Sequence, residues 1–149
     1  MAVTATPVFP QAPKLWTAAL LSTTGAFTFV ANTATSAGKV TLVTAGANGT
    51  IIEALTVAST DTSARDLQLI LLNTVDFVLS TFAIAANSGF TNALPPIDIL
   101  RATQTPGFAF DVNGNRILFL PSGTSLCVGT LTAVTAAKQI SVTAFGADF

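Results

Sequence analysis

The chain has no histidine, no tyrosine and one cysteine. It has few charges: six Lys and Arg and seven Asp and Glu among 149 residues, or 9%, where about 25% is usual. Each shortage removes a class of function. Without histidine the commonest general base and metal ligand is missing, and Ser-His-Asp and Cys-His catalysis as usually built are excluded. A single Cys127 forbids an internal disulfide and suits folding in a reducing compartment. It sits in the apolar phrase Ser125-Leu126-Cys127-Val128-Gly129 with no adjacent cation to lower its pKa, so a buried structural thiol is expected. The six cations (Lys14, Lys39, Arg65, Arg101, Arg116 and Lys138) never cluster, so no nucleic-acid partner is expected. High hydrophobicity with a net charge of −1 excludes disorder.

The remaining catalytic candidates are thin. Glu53, Asp61, Asp66, Asp76, Asp98, Asp111 and Asp148 are scattered, and no Gly-rich phosphate loop occurs. Asp111-x-Asn113-x-Asn115 opens like a calcium loop. However, Arg116 replaces the loop's glycine, Ser122 replaces its final glutamate, and Asn113-Gly114 reads as a hairpin turn. No catalytic residue, cofactor or metal ligand is expected. Three stretches of about twenty residues or more carry no charge (15–38, 77–97 and 117–137), but none holds about 18 consecutive apolar residues. They read as buried strands, and no membrane partner is expected. Lys14 followed by residues 15–21 faintly mimics a secretion signal, but three prolines precede it and the charge comes late.

What the chain does have is β pattern. Short runs rich in Val, Ile, Thr and Phe predict strands at 15–21, 26–31, 40–44, 50–58, 66–72, 76–85, 97–100, 116–120, 125–133 and 139–145. Residues 45–49 and 111–115 carry Asn-Gly turn signals. Residues 98–104 could form one helical turn ended by Pro106. Residues 1–14 read as an extended arm, because Pro7, Pro10 and Pro13 recur every third position around Val8 and Phe9. Residues 15–149 read as one domain. The fold class expected is all-β, a jelly-roll-like antiparallel β-sandwich with an extended Pro-rich N-terminal arm. An immunoglobulin-like sandwich and a closed barrel stand second and third.

The sparse charge has a further implication. A monomer of 15.2 kDa exposes about 7,000 Å² by size scaling, or about one charge per 550 Å². Soluble surfaces carry charge on roughly a quarter to a third of residues. Runs 66–72 and 76–85 are apolar on both faces, so burial by other chains is expected. Glu53 alternates with Ile51, Leu55 and Val57, which puts it toward an interior or an interface, or else at a strand edge. Trp16, leading into a strand, reads first as a core residue and second as a stacking or interface residue. The interface candidates are Pro7, Val8, Phe9, Pro10, Pro13 and Trp16. An arm carrying Val8 and Phe9 is expected to make an intersubunit contact.

Several phrases resemble those of a known family. They are Thr6-Pro7-Val8-Phe9-Pro10-Gln11-Ala12-Pro13-Lys14-Leu15-Trp16, Thr44-Ala45-Gly46-Ala47-Asn48-Gly49-Thr50, and residues 59–69, 120–129, 131–138 and 144–149. Together, and in this order, they resemble small structural proteins of tailed bacteriophages and prophages, among them capsid cement (decoration) proteins. The resemblance covers nearly the whole chain but contains no catalytic signature. It implies a jelly-roll-like fold, no enzymatic activity and no cofactor. It implies synthesis in the bacterial host cytoplasm and a place on the capsid exterior of the virion. The implied partners are the major capsid protein and copies of the chain itself, as a dimer or trimer. Another virion role, in tail or fibre, is the nearest alternative. A small-molecule or sugar-binding β module, with a pocket lined by Trp16 or several Phe, is an alternative of a different class.

Overall fold

The computed structural model describes residues 12–101 and 108–149. Its strands are β1 (Ala12–Leu21), β2 (Lys39–Thr44), β3 (Thr50–Ser59), β4 (Arg65–Leu72), β5 (Asp76–Ile84), β6 (Ile97–Asp98), β7 (Ala109–Phe110), β8 (Arg116–Leu120), β9 (Ser125–Thr130) and β10 (Gln139–Asp148). One 3₁₀ turn, Ser22–Thr24, is the only helical element among the described residues. The chain is therefore all-β and antiparallel. The first sheet has the order β1-β10-β3-β8-β7, with β6 also on β3, and the second has the order β2-β9-β4-β5.

The pairing follows a rule. β1 pairs with β10, β2 with β9, β3 with β8 and β4 with β5, each antiparallel. The chain thus behaves as one long hairpin whose successive strand pairs alternate between the two sheets. Further pairing of β10 with β3 and of β4 with β9 closes each sheet. The inward side chains of both sheets fill one core, in which Leu20, Ile52, Leu55, Leu69, Leu126 and Ile140 are fully buried. Alternation along each strand is what delivers them there.

One expectation about the chain path is corrected. The run 26–31 is not a strand. It belongs to a loop over the outer face of the second sheet, where Phe27 packs on Ile70 and Cys127 and its N–H donates to the Thr130 carbonyl at 2.7 Å. The loop fits because Gly38 has no side chain: a β-carbon there would stand 2.1 Å from the Ala26 carbonyl oxygen. The turn expected at 45–49 occurs, with the Gly49 N–H donating to the Gly46 carbonyl at 3.0 Å. It carries the chain from β2 in the second sheet to β3 in the first. The local Asn-Gly signal reads chain reversal but does not say which strand the next one will pair with.

Strand starts shift less. β1 begins at Ala12, so Pro13 and Lys14 are paired in the sheet opposite Ala147 and Gly146. Proline is tolerated there because β1 is an edge strand. The turn signal at 111–115 does close the β7–β8 hairpin. Residues 99–101 form a turn, and the rest of the helical turn expected at 98–104 lies outside the described residues.

Candidate protein-interaction surface

The outer face of the first sheet is built by register. Leu15 on β1 lies opposite Phe145 on β10, and Phe145 lies opposite Ala54 on β3. Two residues along, Ala147 lies opposite Ile51, and Ile51 lies opposite Phe119 on β8. The Phe149 ring packs against Phe119 with centroids 5.8 Å apart. Leu15 is 59% exposed, Phe119 49% and Phe145 46%. One end of this face is therefore a continuous apolar band across four strands. Glu53 on β3 is also exposed, and it shares a cleft with Arg101, Asp111 and Arg116. Exposed apolar patches of this kind mark interaction sites more often than scattered single residues do.

Glu53 owes its position to a β-bulge. Ala54 pairs with Phe145 and Ile52 with Gly146, which leaves Glu53 as the extra residue of β3. The bulge shifts the phase of the strand, so Ile52 faces the core on one side of it and Leu55 and Val57 on the other. The alternation that grouped Glu53 with Leu55 and Val57 is broken at this residue, and Glu53 is exposed at the surface.

The interface candidates separate. Pro7, Val8, Phe9 and Pro10 lie outside the described residues. Pro13 is exposed on β1 beside the apolar band. Trp16 turns to the opposite side of β1, across from buried Ala144, and packs on the core. Leu15, Ile51, Phe119, Phe145 and Phe149 were missed as candidates. Their common face emerges only once strand neighbours and the bulge are known.

Three aspartates pin the framework, of which Asp148 lies at the end of β10 in the first sheet. Asp148 accepts hydrogen bonds from the Lys14 ammonium and the Thr50 hydroxyl, which hold its carboxyl below the usual carboxylate range. Asp76 has a fully buried side chain. Burial opposes its ionisation, but the Lys39 ammonium and Ser36 more than offset this and hold its pKa low. Lys39 also donates to the Ala34 carbonyl at 2.7 Å, and the Asp76 N–H donates to the Thr33 carbonyl at 2.9 Å, so this pair anchors the loop over the second sheet. Asp61 is likewise buried. Burial again opposes its charge, and Arg65 (2.8 Å), the Thr135 backbone and hydroxyl, and the Ser63 backbone N–H outweigh it. Each carboxylate is occupied by its own structural partners.

Cys127 and Asp111 are held by the fold itself. Cys127 is fully buried, and burial pushes its thiol pKa up. The Asp111 carboxylate accepts the backbone N–H groups of Asn115 (2.7 Å) and Asn113 (2.8 Å), so it is spent on its own turn, and these bonds hold its pKa low. A cleft of about 250 Å³ is lined by Glu53, Arg101, Asp111, Asn115 and Arg116. There Arg101 pairs with Asp98 at 3.3 Å, and the Arg116 guanidinium lies 5.4 Å from the Phe110 ring centroid. Trp16 is not part of its lining. Among the described residues no group of three or more His, Cys, Asp or Glu could hold a metal ion, and no helix is long and apolar enough to cross a membrane. Comparison with protein-family models, with curated proteins and with solved structures yields no match to this chain.

Proposed function

We propose that this chain is a non-enzymatic structural protein of a bacteriophage virion, a capsid cement protein that binds the outside of a shell of major capsid protein and neighbouring copies of itself. The observation that carries this reading is the outer face of the first sheet, where Leu15, Phe145 and Phe119 are exposed and the half-buried Phe149 ring packs on Phe119. Such a face is costly in water and favourable against another protein surface. The strand pairing supports reading the sandwich as a jelly roll of eight strands, with β6 and β7 inserted between β5 and β8. The sequence resemblance supplies the shell as the partner. Many copies on one particle would hold through multivalency even where each contact is weak.

The test is binding. Purified protein is mixed with assembled capsids that lack it, and pelleted material and capsid melting temperature are measured. Saturable co-sedimentation and a raised capsid melting temperature are expected, and both should be lost with Phe145→Asp. Wild-type protein that stays in the supernatant at tens of micromolar, as the weak micromolar range requires, would falsify the reading.

A further inference from the structure

The edge of β1 carries a short row of backbone groups that the fold does not use. β1 pairs with β10 alone, in unbroken register from Ala12 to Leu21. In an antiparallel ladder each residue turns both its N–H and its C=O either toward the partner strand or away from it, in alternation. Gln139, opposite Leu21, fixes the phase. It donates its N–H to the Thr60 hydroxyl at 2.8 Å and accepts the Thr60 N–H at its carbonyl at 2.9 Å, and Thr60 follows β3 on the other side of β10. Leu21 therefore turns its own groups away from β10, and its N–H donates to the Thr24 hydroxyl at 3.1 Å. Pro13 is in the same phase and has no N–H to give. Between these two ends Leu15, Thr17 and Ala19 turn N–H and C=O outward. Among the described residues no hydrogen bond reaches those groups.

We propose that this edge pairs antiparallel with the same edge of a second copy, about a twofold axis through Thr17. A twofold contact needs a surface that complements itself, and the outward groups are already symmetric about Thr17. Leu15 meets Ala19 of the second copy, Thr17 meets its own counterpart, and Ala19 meets Leu15, each pair exchanging two hydrogen bonds. The row stops at both ends for one reason. The next pair joins Pro13, which lacks an N–H, to Leu21, whose N–H is spent. The side chains agree with this register. Leu15 and Ala19 share the outer face, and Trp16 and Ala18 turn to the core side, so a large side chain stands beside a small one in each pair. Thr17 is exposed and meets Thr17 at the axis, a favourable cross-strand pair. No charge, proline or bulge interrupts residues 15–21, although these are the usual devices that keep edge strands apart. Lys14, just before them, is tied to Asp148 of its own chain. A strand of another protein lacks this matched symmetry, which favours the second copy. As the contact between neighbouring copies on a shell the pairing rests on the proposed function, but in the free protein it stands without a shell.

The full chain in solution, without capsids, tests this. Sedimentation equilibrium from about 10 µM to about 1 mM spans the affinity expected of so small a contact, and a monomer–dimer equilibrium is expected within it. Amide exchange followed by NMR over the same range should slow severalfold at Leu15, Thr17 and Ala19 as the dimer fills, and should change little at Trp16 and Ala18, which are already in the ladder. Thr17→Pro removes both donors at the axis, neither of which the fold uses, and should weaken dimerisation at least tenfold. Thr17→Lys, at the same exposed position, sets like charges directly opposite each other and should weaken it severalfold, which keeps the test valid if the proline variant folds poorly. A monomer throughout the range overturns the proposal. So does a dimer whose Leu15, Thr17 and Ala19 amides exchange as in the monomer, or whose affinity Thr17→Lys leaves unchanged, because association then uses another surface such as the outer face. Capsid co-sedimentation is a separate readout, so this pairing and the proposed function can fail independently.

Discussion

Gly146 and Ile51 approach so closely that a β-carbon on Gly146 would stand 1.9 Å from the Ile51 carbonyl oxygen. This contact sits at the bulge that places Glu53 on the surface and returns Leu55 to the core. Gly146→Ala must push two paired central strands apart, because the obstructing atom belongs to the backbone and has no rotamer to escape into. A loss of about 3 kcal/mol is expected, the upper part of the usual range for overpacking. Urea unfolding of the variant and the wild type measures it. A variant within 0.5 kcal/mol of wild type, the range of an innocuous surface change, would show that the bulge does not need this glycine.

The same bulge marks where the sequence stops being legible. Nine of the ten strands expected from it occur, because short β-branched and aromatic runs between turn residues are a local signal. Strand phase is not local. One extra residue at Glu53 reverses which side chains face inward, and nothing in Ile51-Ile52-Glu53-Ala54-Leu55 announces it. The run 26–31 has strand composition too, yet it makes only single backbone contacts, to Thr130 at the end of β9 and to Ala37 within the covering loop, and no ladder. The apolar band was hidden for the same reason. Leu15, Ile51, Phe119 and Phe145 are distant in sequence, and only pairing brings them to one face. Trp16 and Cys127 were legible as core residues because size and apolarity alone carry that reading.

Acid should weaken the fold through its buried aspartates. Asp61 and Asp76 hold their protons less readily in the folded chain than in the unfolded one. The stability they add is therefore complete above about pH 4, the unfolded carboxylate range, and is lost as pH falls toward their depressed folded values. Asp76→Asn leaves Lys39 nearly buried without its counter-charge and should cost about 3 kcal/mol at pH 7. The gap between variant and wild type should narrow below about pH 3, where the wild-type carboxyl also begins to take up its proton. Urea midpoints across pH 2–7 read both quantities. A gap that stays constant down to the lowest pH would mean that Asp76 does not titrate with unfolding.

Cys127 offers a probe of the loop that covers it. The thiol is fully buried beneath Phe27, and its pKa is raised by burial. The thiolate is the reactive form, so a disulfide reagent should label Cys127 only after opening. Phe27→Ala should remove that cover while leaving the principal core intact, because Phe27, Ile70 and Cys127 form a cluster of their own. Labelling should then accelerate at least tenfold while the urea midpoint falls only modestly. Equal labelling rates in the two proteins would show that access to Cys127 requires global unfolding rather than local opening of this loop.

Two phenylalanines separate stability from binding. Phe82 is 2% exposed between the sheets, and Phe145 is 46% exposed on the outer face. Truncating Phe82 to Ala removes a buried ring and leaves a cavity, at an expected cost of about 3–5 kcal/mol. Truncating Phe145 removes a ring that half meets solvent already, so the expected cost is about 1 kcal/mol or less. If the outer face is the shell contact, binding should respond in the opposite order. Phe145→Ala should weaken capsid association at least tenfold, the loss of about 1.4 kcal/mol or more that a central aromatic anchor carries. Phe82→Ala, assayed at a temperature where it remains folded, should bind almost as wild type does. The crossed pattern is the informative result, because a general loss of folding would reduce binding in proportion to stability in both variants. Equal binding by Phe145→Ala and wild type would remove the outer face from the contact and leave the shell, if bound at all, to another surface.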